Sequence, residues 1–438
     1  MDEINISEQP VVAPVAETPK KPKNWKKIVG IVGAVVLVAG AGGAITYTII
    51  NGTNPTVSTG VASTTLSGDG STLTLSEGEN LISKSGTYTV TGTISNGYIH
   101  VKASDTEEVK IILSGVSITN PNGPAIYVES NGNTYIELVG ENKINATPTE
   151  DLNGAIYSKA DLLLSGSGKL AIESTLDGIV GKDDLEIDSG TYTIKASDDG
   201  IAGKDSLLIK DGTYTINASG LGLKTSNEEE KGDLEISGGT FSITSTGKAI
   251  KSEGSMLISG GKFTISATDD GIHSNADMTI KGGEGTVKSG DDAIHAEGKL
   301  QIDDGNYTLN AAEGLEATYI VINGGTIKIT ATDDGINAAN QSSAYTATVE
   351  INGGNITIDM GQGDTDAIDS NGNIYINGGT LNITAQSPFD YDGTAKYSGG
   401  TMIVNGTQTT SITNQMMGGG GGGTMPGQQQ QGGGMMRR

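Results

Sequence analysis

No cysteine occurs among the 438 residues, which excludes disulfides, thiolate metal sites and a lipoprotein anchor. Aromatic residues are scarce, and the single tryptophan, Trp25, sits in a lysine cluster near the N-terminus, so a flat aromatic sugar-binding face is not expected, and any glycan contact would rest on exposed tyrosines such as Tyr319, Tyr345, Tyr391 or Tyr397, on polar rows or on metal. Basic residues are few: 27 Lys and Arg stand against 52 Asp and Glu, a net charge of −25 that argues against nucleic acid and for cations or neutral ligands. Apolar periodicity of helical length is absent between Leu66 and Val404, which excludes a helical bundle.

What the chain does have is glycine, 67 residues of it, and a repeat. Aligned on the small residue that precedes Ile or Leu, the copies fall at Ala155, Gly178, Gly200, Gly222, Ala249, Gly271, Ala293, Gly314, Gly335 and Ala367. The steps are mostly 21 to 23 residues, with two longer ones of 27 and 32 where a loop is inserted. A fixed period of this size is the mark of a solenoid. Each copy carries one alternating apolar pair, such as Leu185/Ile187 or Met278/Ile280, then a Gly turn, then a second pair, such as Tyr192/Ile194 or Phe263/Ile265. Period two over three to five residues reads as strand, and short strands with Gly-rich corners at this spacing predict an all-β parallel β-helix. The phase of Tyr192, Tyr214, Phe241, Phe263 and Tyr307 with the neighbouring isoleucines points these rings inward, as core rather than as a sugar-stacking surface.

The ends differ in kind. Residues 1–27 read as a cytoplasmic tail closing on Lys20, Lys21, Lys23, Lys26 and Lys27, and 28–50 as an uncharged, mostly apolar run of 23 residues. That run is long enough to span a bilayer as a single-pass transmembrane helix, with the lysines inside and the β-helix extracellular at the cell membrane. A cleaved signal peptide competes with it, since Ala39 and Ala41 resemble a cleavage site, but the apolar run is longer than such peptides use. Residues 51–65 read as a flexible linker, 66–405 as the β-helix and 406–438 as a disordered Gly/Gln/Met-rich tail.

The acids carry the functional signal. In the two positions before the repeat's Gly or Ala stand Asp177, Asp198 and Asp199, then Asp269 and Asp270, Asp291 and Asp292, Glu313, Asp333 and Asp334, and Asp366. Superposed on successive turns, they predict a ridge of carboxylates that repel one another and need raised pKa values, basic partners or bound cations. Lysines look scarce at that phase, and hard oxygen donors in excess suit Ca2+. The candidate metal ligands are therefore Asp269, Asp270, Asp291, Asp292, Glu313, Asp333, Asp334 and Asp366. Two residues after the Gly, His273, His295, Glu316, Asn337 and Asp369 form a second stack, whose oxygens could complete such sites. The competing reading makes each Asp-Gly a turn and no more. The turns at Gly222 and Ala249 lack the acids and divide the ridge in two. His100 reads as isolated and structural, and Lys251, one turn from His273, is the one basic group in place for lyase chemistry.

The stretches GENLISKSGTYTVTGTISNGYIHV and VKIILSGVSITNPNGPAIYVES, with the repeated DDGIHS/DDAIHA, IKGG and INGG and the Gly/Met tail, closely resemble a family of bacterial cell-surface carbohydrate-binding domain proteins. The resemblance covers about Leu66–Val404. It implies a right-handed, single-stranded parallel β-helix similar to pectate lyases, calcium bound among Asp269, Asp270, Asp291, Asp292, Asp333 and Asp334, and acidic or cellulosic plant polysaccharide as partner, with no lyase activity established. No catalytic residue is assigned. A polysaccharide lyase or glycoside hydrolase, and a purely structural surface stalk, are the readings from other classes.

Overall fold

The computed structural model describes residues 64–66, 70–227, 232–361 and 365–414. The expected cytoplasmic tail, the membrane-spanning segment and most of the linker and C-terminal tail lie outside these residues, so the transmembrane expectation has no support from the fold. Among the described residues no helix is long and apolar enough to cross a membrane.

The described chain is a parallel β-solenoid of about 15 turns. Three strands make a turn, and each pairs in parallel with its equivalents one turn before and after. In the central turns the first face is built from strands such as Asp177–Gly181, Ile201–Gly203 and Ile272–Ser274, the second from Asp184–Ile187, Ser206–Ile209 and Met278–Ile280, and the third from Thr191–Ala196, Thr213–Ala218 and Lys262–Ala267. The one antiparallel strand pair among the described residues closes the C-terminal end, where Thr407–Thr409 folds back on Thr401–Val404 and covers part of the last open edge.

Register turns the sequence repeat into columns. On the first face Ile179, Ile201, Leu223, Ile250, Ile272, Ile294, Leu315, Ile336, Ile368 and Phe389 follow one another inward, all buried. On the third face Tyr192, Tyr214, Phe241 and Phe263 stack at centroid spacings of 5.2, 4.7 and 5.0 Å with planes within 8°. The sequence phase placed these rings in the core, and there they lie. Their polar tips find partners at the preceding corner: the Tyr192 hydroxyl donates to Ser189 O and the Tyr214 hydroxyl to Asp211 O at 2.9 and 2.7 Å. That corner is where glycine is obligatory. Gly212 has φ +128°, and a Cβ there would lie 2.7 Å from the Tyr214 hydroxyl oxygen.

The N-terminal turns depart from the repeat but follow the same physics. Asn80 is fully buried, accepts from Ser76 N and donates to the carbonyls of Ser76, Gly78 and Tyr98. Its removal strands backbone groups in the interior, so Asn80→Ala is expected to cost about 1–3 kcal/mol in chemical unfolding. An unchanged midpoint would show that water replaces the side chain.

Candidate functional site

The outer side of the first face carries the candidate residues. Strand alternation turns Ile272 inward and His273 outward, and register aligns the outward position from turn to turn. In order it reads His100, Tyr127, Tyr157, Val180, Ala202, Lys224, Lys251, His273, His295, Glu316, Asn337, Asp369 and Asp390. One continuous row passes from aromatic and apolar through basic to acidic.

At the upstream end His100 stacks on Tyr127 with centroids 5.0 Å apart and planes 11° apart, flanked by Tyr98 at 6.0 Å and Tyr157 at 6.1 Å. Tyr127 and Leu152 pack against Tyr157, Val180 and Ala202 in a small apolar cluster separate from the main core. Lys159 and Lys182 place their ammonium groups 5.6 and 5.5 Å from the ring centroids of Tyr127 and Tyr157. His100, expected as isolated, instead belongs to this row, with Nδ1 2.5 Å from Glu79 and Nε2 2.9 Å from Glu129. Sequence reasoning missed the aromatic strip because the early turns are irregular. The available signal was Tyr157, two residues after the aligned Ala155 and therefore in phase with His273.

The acidic ridge runs beside this row, and its inner members do more than turn the chain. Asp177, Asp199, Asp270 and Asp334 each use one carboxylate oxygen to accept the backbone N–H of the equivalent residue one turn on, namely Asp199, Leu221, Asp292 and Asp366, at 3.0, 2.7, 3.2 and 3.1 Å. The other oxygen of three of them meets a partner. Asn153 donates to Asp177, Lys224 pairs with Asp199, and Lys248 pairs with Asp270 and, at 3.0 Å, with Asp269. The expectation that lysine is scarce at this phase is therefore corrected. The two turns without acids contribute Lys224 and Lys248, each reaching one turn along the solenoid to a buried aspartate.

Further along, imidazoles take over. His273 Nδ1 is 2.7 Å from Asp270, and His295 Nδ1 is 2.8 Å from Asp292 and 3.3 Å from Glu316. Burial works against charge on Asp270, yet the bonds from His273, His295 and Lys248 hold its carboxyl well below the usual range. Burial also opposes charge on His295, but Asp270 and Asp292 push it up to about 10. Of the other expected ligands, Asp269 is half-buried, Asp291 is exposed, and their carboxylates approach Asp270 closely enough to share an ion.

The downstream stretch is electrostatically different. Burial raises Glu313 to about 7 despite a 2.9 Å bond from Asn337 Nδ2, and the charges of Glu316, Asp333 and Asp291 add to the shift. Burial raises Asp334 to about 7, with Asp369, Glu313 and Asp333 contributing, and Asp369 to about 6, with Asp390 and Asp366 contributing. Among the described residues no lysine, arginine or histidine pairs with Glu313, Asp334 or Asp369, and the buried Asn337 Oδ1 has no hydrogen-bond donor. Oxygens without a cationic partner, an orphaned amide oxygen among them, are of the kind a hard divalent ion takes, although the carboxylates of Glu313, Asp334 and Asp369 do not come as close together as those of Asp269, Asp270 and Asp291. Lys251, considered for lyase chemistry, does lie beside His273 in the row, but its amine is 2.5 Å from Glu253.

The outer row thus changes along one face of the solenoid from aromatic through basic to acidic. Comparison with known proteins names the class. The family model described as carbohydrate-binding domain-containing protein matches residues 76–317 and 310–417, and the chain belongs to that family. A carbohydrate-binding domain-containing protein of Acetivibrio thermocellus is 32% identical over 127 residues, 26% of this chain, and the match spans 44% of that relative's length. The solved structure of the polysaccharide lyase-like protein from C. thermocellum, a gadolinium derivative, is 32% identical and aligns over 52% of this chain and 88% of its own with a TM-score of 0.43.

Proposed function

We propose that this protein binds polysaccharide along the outer row of the first face. The observation that carries the proposal is the strip Tyr98, His100, Tyr127 and Tyr157, a set of rings held in strand register outside the core with Lys159 and Lys182 beside them. Tyr98 and Tyr127 are half-buried and reach the surface, while His100 and Tyr157 lie buried behind them at 9% and 4% exposure and fix their positions. Ring edges so held offer apolar contact to sugars at little entropic cost, and lysines beside them suit acidic sugars. Family membership supports the same reading. The third face supplies a contrast: its outward rank of Thr193, Thr215, Ser242, Thr264, Thr286 and Thr308 is small, polar and free of rings.

Calcium belongs to this proposal at the downstream end, where Glu313, Asp334, Asn337 and Asp369 would draw together to hold it. A bound calcium ion there would neutralise the crowded carboxylates and offer open coordination to a uronate. The aspartates at 269, 270, 291 and 292 suit calcium less well, since Lys248 and His273 pair with Asp270 and an imidazole nitrogen, a poor calcium ligand, stands against Asp292. The Lys20–Lys27 cluster before Ile28–Ile50 supports display of this face outside a membrane.

Retention on immobilised acidic and cellulosic polysaccharides tests the face. Tyr127→Ala is expected to weaken binding by about tenfold or more, the scale of one lost aromatic contact, while Thr215→Ala leaves it unchanged. Equal loss for both variants, or loss for Thr215→Ala alone, would place the site elsewhere.

A further inference from the structure

His273 and His295 lie on successive turns with ring centroids 4.5 Å apart. Each directs Nε2 at an amide oxygen, His273 at Asn275 Oδ1 (2.7 Å) and His295 at Gln341 Oε1 (3.1 Å). Those amides are oriented from their far sides, because Asn275 Nδ2 donates to Glu253 and Gln341 Nε2 donates to Glu316 Oε1 at 2.8 Å. Both Nε2 atoms are thereby N–H donors, which leaves Nδ1 as the nitrogen open to coordination.

The surroundings of His295 Nδ1 are unusual. Carboxylate oxygens from three successive turns converge on it, Asp292 Oδ2 at 2.8 Å, Glu316 Oε2 at 3.3 Å and Asp270 Oδ2 at 3.7 Å. Asp270 has other partners in Lys248 and His273. Asp292 and Glu316 converge on this one nitrogen and also lie within hydrogen-bond reach of each other, so three ligand atoms meet at one point. All these side chains are buried or nearly so.

We propose that His295 Nδ1, Asp292 and Glu316 form a site for a divalent metal ion of borderline softness, of the zinc class. One imidazole nitrogen with two carboxylates suits zinc or cobalt and disfavours calcium and magnesium, which take oxygen. A dication at this point replaces the proton on Nδ1 and draws both carboxylates at once. Gln341 then plays the part that second partners of metal-bound histidines play, fixing ring and tautomer through Nε2. It comes from the insertion behind the longest repeat step. That segment is pinned over the site by Gln341 N and Ser342 N, which donate to Thr318 Oγ1 at 3.1 and 2.8 Å, and by the Tyr345 hydroxyl, which donates to Asp277 at 2.7 Å. The site shares no ligand with the downstream calcium residues, so the two proposals stand or fall separately.

The test is cobalt(II) titration of the chelated, desalted full-length protein, read by visible absorption, with zinc as competitor. The expected result is one equivalent of cobalt giving a visible band that zinc removes and excess calcium does not. His295→Gln and Glu316→Gln should each abolish the band with far-ultraviolet circular dichroism unchanged, Gln341→Ala should weaken zinc binding about 10–100-fold, and Asp334→Asn with Asp369→Asn should leave the band intact. Should His295→Gln fail to fold, the near-isosteric Glu316→Gln decides. Absence of a band in folded protein, its survival in folded Glu316→Gln, or its displacement by calcium would overturn the proposal.

Discussion

Phe263→Ala is expected to destabilise the solenoid by about 3–5 kcal/mol, the usual cost of deleting a buried aromatic side chain. Phe263 is 1% exposed and is the last ring of the Tyr192–Tyr214–Phe241–Phe263 column. Its partner on the next turn is Gly285, which offers no side chain to fall into a cavity. A Cβ on Gly285 would lie 3.0 Å from Phe263 Cβ and 3.4 Å from Tyr307 Cδ1, so the glycine is fitted between the two turns. Phe263→Asp should be worse, because it buries a charge with no partner. Denaturant unfolding followed by circular dichroism reads both, and a Phe263→Asp protein that melts within a degree or two of the parent would mean that the ring faces solvent.

Chelation is expected to have the next largest effect, and its size should depend on pH. Glu313 and Asp334 are raised to about 7 and Asp369 to about 6, each mainly by burial. A carboxyl raised on folding binds its proton more tightly in the native state. Its stabilisation is full below the unfolded value near 4 and is lost as pH rises through 6 to 7. Asp270 acts in the opposite sense, since its pKa is lowered, and its contribution is lost only in acid. Chelated protein should therefore melt highest in mild acid and lower at pH about 8. Calcium should reverse the alkaline loss, adding about 2.7 kcal/mol at a hundredfold excess over its Kd, and magnesium should restore it poorly. Asp334→Asn with Asp369→Asn should flatten both responses. Melting curves indifferent to chelator and calcium across that pH range would remove calcium from the account.

Much of the architecture was legible because a β-solenoid repeats its evidence. Alternation, glycine corners and a period near 22 gave strand, phase and core from Leu185 to Ile383, and the outward stack from His273 to Asp369 emerges in register as the spacing implied. Electrostatic compensation was harder to read. Counting acids at one phase made Lys224 and Lys248 look like neighbours of interruptions, whereas side chains one turn apart sit only about 4.8 Å from each other. A lysine in such a column is a counterion for the turn next to it. The aromatic strip was hidden for another reason. Tyr98 and Tyr127 precede the regular repeats, the rings in phase with the third-face isoleucines pointed inward, and the exposed tyrosines expected from sequence were Tyr319, Tyr345, Tyr391 and Tyr397. Nor does the length of an insertion disclose where it folds, so the route of Gln341 back to His295 could come only from the structure.

The central claim is that the first face recognises polysaccharide, and affinity electrophoresis of the full-length protein tests it most directly. Native gels containing polygalacturonate, a soluble cellulose derivative or no polysaccharide would be run with calcium. The account predicts retardation in at least one polysaccharide gel, reduced in Tyr127→Ala and unchanged in Thr215→Ala. Mobility identical in all three gels, with the protein folded, would contradict it.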